Sequence, residues 1–442
     1  MSALSGPDAA MYWRSLVGRN DQFLVYAFAA TAASVGDPMA ELRRRAAGIA
    51  DLHLAIARVP GDLDYPRWCA RPAADDQFRR SDAQTWDEVL ADLATLMAAD
   101  DAGPGSLRES GALPESGSLW RVHLHPSLVG VPGTDGGRAH VVVLQISHAL
   151  GDGRTVSAIA RRLLSDTGAI GDAPAPGPPP GLRTALRGAL TTPLRLATAI
   201  AVGTAAWRAD STTAALTATA PTAPIEPTEL NRPGSGPIRL QTITVDRESV
   251  RRPGMTVTVG ALVRIAEVLP EFGGASADGR TVAEVTLARP GSGGERNSFF
   301  TAGIDLRSDL GRDQRATVLA DALAEARRRD ALPGRSAARR ATAWAPAIVE
   351  SWGVRLAAAA PVPPLVAGAT VVSSVDRGPA DLTLAGGQVL FTAGFPALSP
   401  VHGLTHGVHG IGETVTVSVA ARGAAAETID DYAAALRAAL TS

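Results

Sequence analysis

Apolar positions along the chain repeat with two periods. Residues 141–146 are a largely β-branched and aliphatic run, the pattern of a buried strand. After a polar, glycine-rich turn, residues 155–164 place Val156, Ile159, Ala160, Leu163 and Leu164 on one helical face. Similar readings predict strands over 23–30, 121–128, 238–245, 281–288, 299–306, 370–374, 388–391 and 414–419. They predict helices over 37–57, 86–97, 182–209, 257–269, 318–330, 335–358 and 428–440. The 121–128 strand pairs with 141–146 across the loop GVPGTDGGR, and Asp8 reads as the N-cap of a short opening helix.

Both halves mix strands with helices, which gives an α/β (α+β) class and two similar domains. The N-terminal domain spans 1–170 and the C-terminal domain 236–442. Between them, 171–235 reads as a linker: a proline-rich break at 172–181, an apolar helix bearing Arg183, Arg187 and Arg195 on roughly one face, and a flexible Thr/Ala/Pro segment over 211–227. The arginine-bearing helix can lie on an anionic membrane surface or link the domains with its arginines in water, and the pattern leaves both open.

At 442 residues the chain is long enough for two cores. With 45% hydrophobic and 19% charged residues and a net charge of −2, it reads as globular, neither disordered nor polyanion-binding, so nucleic acid is not an expected partner. Every basic side chain other than histidine is Arg. Cys69 is the only cysteine, which excludes an intramolecular disulfide and a thiolate zinc site. The N-terminus lacks the layout of a secretory signal, and the apolar stretch 356–372 is short for a span and interrupted by prolines. A cytoplasmic protein is expected, with contact to the inner membrane surface left open.

His148, Asp152 and Gly153 form H-x-x-x-D-G where the 141–146 strand ends. Three such positions would occur by chance in roughly one chain in twenty of this length. The strand–turn–helix context therefore carries the weight. A histidine there can take a proton from an alcohol as its oxygen attacks a carbonyl, then pass it to the leaving group. Asp152 has two open roles, orienting the imidazole or anchoring the turn through an arginine. Desolvation cost favours the second. No G-x-S-x-G elbow is present. His123 and His125 share a strand face and are read as solvent-facing; His402, His406 and His409 are read as lying on a flexible glycine-rich loop. Neither group is assigned a metal.

These residues carry a resemblance. SHALGDG resembles the H-H-x-x-x-D-G motif of the bacterial wax ester synthase/diacylglycerol acyltransferase family, itself related to condensation-domain and chloramphenicol-acetyltransferase-like acyltransferases. LSGPDAAMYW is similar to the family's L-S-x-x-D-A opening, Leu119–Trp120 to its P-L-W, GIDLRSDL to a second-domain strand ending in Leu-Arg, VVSSVDRGP to S-N-V-P-G-P, and LTLAGGQVLFTAGFP to the hairpin that follows. The resemblance implies two chloramphenicol-acetyltransferase-like domains with a channel at their interface. It implies His148 as general base, Asp152 as a structural residue partnered by Arg307, and Gly153 as a point of close backbone approach to substrate. Ser147, Trp120, Ser373 and Ser374 would lie along the channel. Acyl-CoA is then a substrate and no cofactor is needed. The acceptor is a lipophilic alcohol or diacylglycerol, with a membrane or lipid droplet as a peripheral contact. Departures are Ser147 for the first His, Thr258–Val259 for the Asn-Asp of T-V-N-D, Ser118 for the proline of P-L-W, and 374–377 without Asn and Pro. They keep two alternatives in play: transfer from a carrier-protein thioester to a polyketide or sugar hydroxyl, and a catalytically impaired lipid-binding or scaffold homologue.

Overall fold

A computed structural model describes residues 2–18, 20–30, 36–98, 117–165, 180–214, 221–232, 234–251, 254–290 and 294–442, with 209–214 as backbone only. Most of the proline-rich break at 172–181 and part of the 211–227 segment lie outside the described residues.

Two six-stranded sheets organise the chain. The first runs Thr383–Leu384, Gly387–Phe395, Asp21–Ala30, Arg138–Ser147, Trp120–Leu128 and Phe78–Arg80. The second runs Arg239–Asp246, Thr414–Ala421, Leu404–Ile411, Thr370–Asp376, Val282–Ala288 and Phe299–Asp305. Within it, Thr370–Asp376 is parallel to both neighbours. Asp21–Ala30 pairs with Arg138–Ser147 along its full length, from Asp21 opposite Ser147 to Ala30 opposite Arg138.

Alternation then sorts the first sheet's side chains. Val142, Leu144 and Ile146 pack under helices Pro38–Ala47 and Gly153–Leu163. Val141 and Val143 join a cluster with helix Trp86–Ala98 and with Ile238, Leu240 and Ala420 of the second half. One face of the first sheet is thus the interface between the halves. Gly387–Phe395 ties them further, because it comes from the second half of the sequence and hydrogen-bonds to Asp21–Ala30.

Three predictions differ. The helix over 335–358 is two, Pro333–Ala343 and Ala347–Ala359, with Pro346 at the second N-cap. The helix over 37–57 stops at Ala47, at the Gly48 C-cap, and the chain turns into a short hairpin of Leu54–Ala57 with Arg67–Ala70. The expected loop around His402–His409 is largely a strand, Leu404–Ile411, inside the second sheet. Its glycines permit close packing: a Cβ on Gly407 would stand 2.1 Å from the Gly394 carbonyl oxygen of the first sheet. A glycine-rich pattern here records sheet-to-sheet contact.

Candidate active site

The strand register delivers His148 one residue past the last pair of the central strands, where its N–H donates to the Asn20 carbonyl at 3.0 Å. Ser147 Oγ accepts from Ala149 N–H at 3.2 Å and caps the short turn His148–Leu150. Asp152 then caps helix Gly153–Leu163, its Oδ1 accepting from Thr155 N–H and Thr155 Oγ1, both at 3.0 Å.

The other side of the site is residues 294–298, from the second half. Asp152 N–H donates to the Arg296 carbonyl and Ser298 N–H donates to Asp152 Oδ2, both at 3.0 Å. Asn297 Nδ2 donates to the His148 carbonyl at 2.8 Å and to Asp8 Oδ1 at 3.0 Å. Asp8 Oδ1 also accepts from Asn297 N–H at 2.9 Å. Ser5, not Asp8, is the N-cap of the opening helix, which frees the buried Asp8 carboxylate to hold this segment. Arg296 donates to the Leu150 carbonyl at 3.2 Å and to Asp51 at 2.6 Å. Burial alone would raise the Asp51 carboxyl, but hydrogen bonds and charge from Arg296 and Arg162 hold it below its ordinary value.

His148 thus sits on the seam between the halves, its ring centroid 6.0 Å from that of Phe299. The residue keeps part of its surface open, but Nδ1 is enclosed without a hydrogen-bond partner. Burial pushes the imidazole down to about 4, against opposing effects of Asn297 and the Asp152 carboxylate. Above that pH the ring is neutral, the form a general base requires.

Arg307 does not meet Asp152. Its guanidinium pairs with Asp309 in solvent, at 2.8 and 2.7 Å. The tie of Asp152 to the second half is real but runs through backbone groups of Arg296 and Ser298, so the Arg307 expectation is corrected. Besides Arg296, an arginine that does cross to the motif helix is Arg377, buried, donating to Ser157 Oγ at 3.0 Å and lying over the Tyr26 ring. Gly153 marks a close approach to protein: a Cβ there would stand 3.0 Å from Val375 Cγ2. Trp120 is a core anchor, its Nε1 donating to the Leu52 carbonyl at 2.8 Å. Ser147 is fully buried. Both therefore lack the open surface a channel wall needs.

Ser374 Oγ accepts from Thr258 Oγ1 at 2.9 Å, joining two of the departures from the family pattern. The pair lines a cavity of about 380 Å³ together with Arg247, Arg251 and Val375; Ser373 is outside its lining. A larger cavity of about 890 Å³ lies between the halves, lined by Asp21, Phe23, Arg232, Ile238, Val362 and Arg422 among others. Asp21 is the register partner of Ser147, though His148 is not in the lining of either cavity.

His123 and His125 are buried, not solvent-facing, and burial pushes both down to about 4. His123 Nε2 contacts Gln145 Oε1 at 3.1 Å. His406 is core as well, with Nε2 2.7 Å from Tyr432 Oη and Nδ1 3.0 Å from Thr370 Oγ1. His402 and His409 are buried too. Among the described residues, no three His, Cys, Asp or Glu side chains are grouped as a metal site would require.

Sequence reasoning missed Asn297, Arg296, Asp51 and Arg377. Arg296 and Asn297 sit in a polar stretch without periodicity, Asp51 in the stretch 37–57 read as one helix, and Arg377 in a segment already noted for its resemblance. No family model matches the chain, and no curated protein does. Solved structures do. A wax ester synthase/diacylglycerol acyltransferase from Marinobacter aquaeolei VT8 aligns with a TM-score of 0.59 at 16% identity, over 99% of this chain and 98% of that one. A mutant starter condensation domain of rhizomide synthetase, in complex with C8-CoA and Leu-SNAC, aligns at 0.54 with 14% identity, over 99% and 93%. The first condensation domain of the CDA synthetase aligns at 0.51 with 15% identity, over 99% and 96%. At such identities the likeness speaks to architecture, and end to end this chain has the two-domain fold of wax ester synthase/diacylglycerol acyltransferases and condensation domains.

Proposed function

We propose that the chain is a CoA-dependent O-acyltransferase that moves an acyl group from acyl-CoA to the hydroxyl of a lipophilic alcohol or diacylglycerol. The observation that carries this reading is a neutral, partly open His148 fixed at a strand end, its N–H held by the Asn20 carbonyl and its carbonyl by the Asn297 side chain of the second half. His148 takes the hydroxyl proton as the alcohol oxygen attacks the thioester carbonyl. The tetrahedral intermediate collapses, the C–S bond breaks, and the imidazolium returns the proton to the departing thiolate, giving ester and free CoA. Asp152, Asp8 and Asn297 position the base without touching the reacting atoms. Two groups favour a CoA donor: the arginines of the smaller cavity suit its phosphates, and a relative of this fold was captured with C8-CoA.

The test is release of free CoA thiol from a panel of acyl-CoAs, with long-chain alcohol or diacylglycerol present. Ester formation by the wild type and its loss in His148→Ala are expected. Ester formation only from a carrier-protein thioester would move the donor assignment. Lack of turnover with either donor, beside intact lipid binding, would replace catalysis by a binding role.

A further inference from the structure

Helix Leu182–Ala214 is built inside out. Its buried positions are small: Ala185, Gly188 and Ala206. At Gly188 a Cβ would stand 2.1 Å from the Leu63 carbonyl oxygen, and at Gly203 it would touch Ala341 Cβ at 3.7 Å. The large apolar side chains point outward instead: Leu182, Leu186, Leu190, Leu194, Ile200 and Trp207, with Leu190 81% and Trp207 70% exposed. A soluble helix normally shows the reverse, and a contiguous exposed patch of this kind marks an interaction surface.

The same side of the molecule carries a second set. Trp344, Val349, Trp352, Leu356, Val362 and Leu365 are exposed on helix Ala347–Ala359 and its flanks. Both elements stand on one support, the segment around Asp62 and Tyr65. Arg195 lies over the Tyr65 ring, Tyr65 Oη donates to the Ala345 carbonyl at 2.9 Å, and Arg355 pairs with Asp62 at 2.8 Å.

Charge identifies the occupant. Residues 182–208 contain four arginines and no acidic residue; residues 332–365 contain four arginines and one acid, Glu350, in a chain whose net charge is −2. Glu350 is half-buried, and burial pushes its carboxyl up. Arg355 and Arg339 pair with Asp62 and Asp330, and Arg195 lies on Tyr65, so the positive charge of the surface comes from exposed arginines such as Arg183, Arg187, Arg335 and Arg340. Set among leucine, isoleucine and tryptophan, they make the combination that binds an anionic lipid–water interface. Val362 and Pro363 also line the 890 Å³ cavity between the halves, so the apolar face continues into the interior. By length and composition 182–208 is the one helix among the described residues able to cross a bilayer. Its small-residue stripe against Leu63 and Ala341 makes it a helix lying on the protein body.

We infer that the exposed face made by 182–208 and 344–365 docks in the plane of a lipid bilayer with anionic headgroups. The inference is independent of the reaction at His148.

Flotation of the full chain with phosphatidylcholine vesicles, with and without phosphatidylglycerol, tests it. The wild type is expected to float with both and more completely with phosphatidylglycerol. Leu186→Glu/Leu190→Glu/Leu194→Glu and Trp352→Glu/Leu356→Glu should each weaken vesicle partition by about tenfold per large apolar side chain lost. The milder Leu190→Ala/Leu194→Ala should weaken it less, with the melting temperature and molecular mass of all three unchanged. His148→Ala should float as the wild type does, which separates docking from catalysis. Wild-type protein that stays unbound with both vesicle types would overturn the inference. So would a wild-type dimer that the glutamate variants convert to monomer without changing flotation, since a second copy would then own this face.

Discussion

Helices Gly153–Leu163 and Leu182–Ala214 are opposites. The first buries Val156, Ile159 and Leu163 completely and turns Arg154 outward, so packing against the first sheet holds it. The second buries alanine and glycine and exposes leucine, so its inward face sets a distance and little more. Around the first helix the costly groups are polar and enclosed, with Asp8 and Asp152 accepting backbone N–H groups across the seam. Around the second they are apolar and wet.

The sharpest way to separate chemistry from support at the seam is His148→Ala. Acyl transfer should fall by about 10² to 10⁴-fold, with the thermal midpoint unchanged. An intact rate would remove His148 as the base. Asp152→Ala should act in the opposite currency, lowering stability by about 2–4 kcal/mol in denaturant titration because the Ser298 and Thr155 donors lose a charged acceptor. Full stability with lost turnover would return Asp152 to an orienting role.

A pair of arginines comes next. Arg377→Ala should cost about 2–3 kcal/mol, since Ser157 and Tyr26 lose a buried partner. Arg307→Ala should leave the thermal midpoint where it is, because its partner Asp309 is exposed. Equal effects would contradict the crossing assigned to Arg377.

These two residues also show what was legible in the sequence. Strand-then-helix periodicity around 141–164 located His148, because each half of that pattern is local. Which arginine crosses the interface depends on how two sheets meet, and Arg307 and Arg377 look equally available in a linear reading. Residues 294–298 were invisible for a related reason: the Arg296 carbonyl and the Ser298 N–H are groups that every residue has, and the Arg296 and Asn297 side chains find their partners only across the seam. The histidines misled because His and Gly alternate like a loop, whereas Gly407 permits sheet contact and His406 pairs within the core.

A pH-dependent effect is spread over the buried histidines. His123, His125 and His148 are held at about 4 and His406 at about 3, all by burial, against an ordinary value near 6.5. Their folded forms stay neutral where the unfolded chain charges. Their contribution is therefore complete above pH 6.5 and is lost as pH falls from 6.5 towards 4. Unfolding near pH 5.5 should take up roughly three to four protons from these four groups, read from the slope of stability against pH. A flat profile would mean that these rings are solvated. The kcat/KM profile should rise separately through about pH 4 and level off above it.

The strand Gly387–Phe395 sets the order in which this protein can be born. Asp21–Ala30 leaves the ribosome early, yet one of its two hydrogen-bonding edges stays bare until residue 395 of 442 has emerged. The first domain therefore cannot be finished as a separate unit during synthesis, and a nascent chain stopped before 387 would present an open apolar edge to chaperones or to other chains.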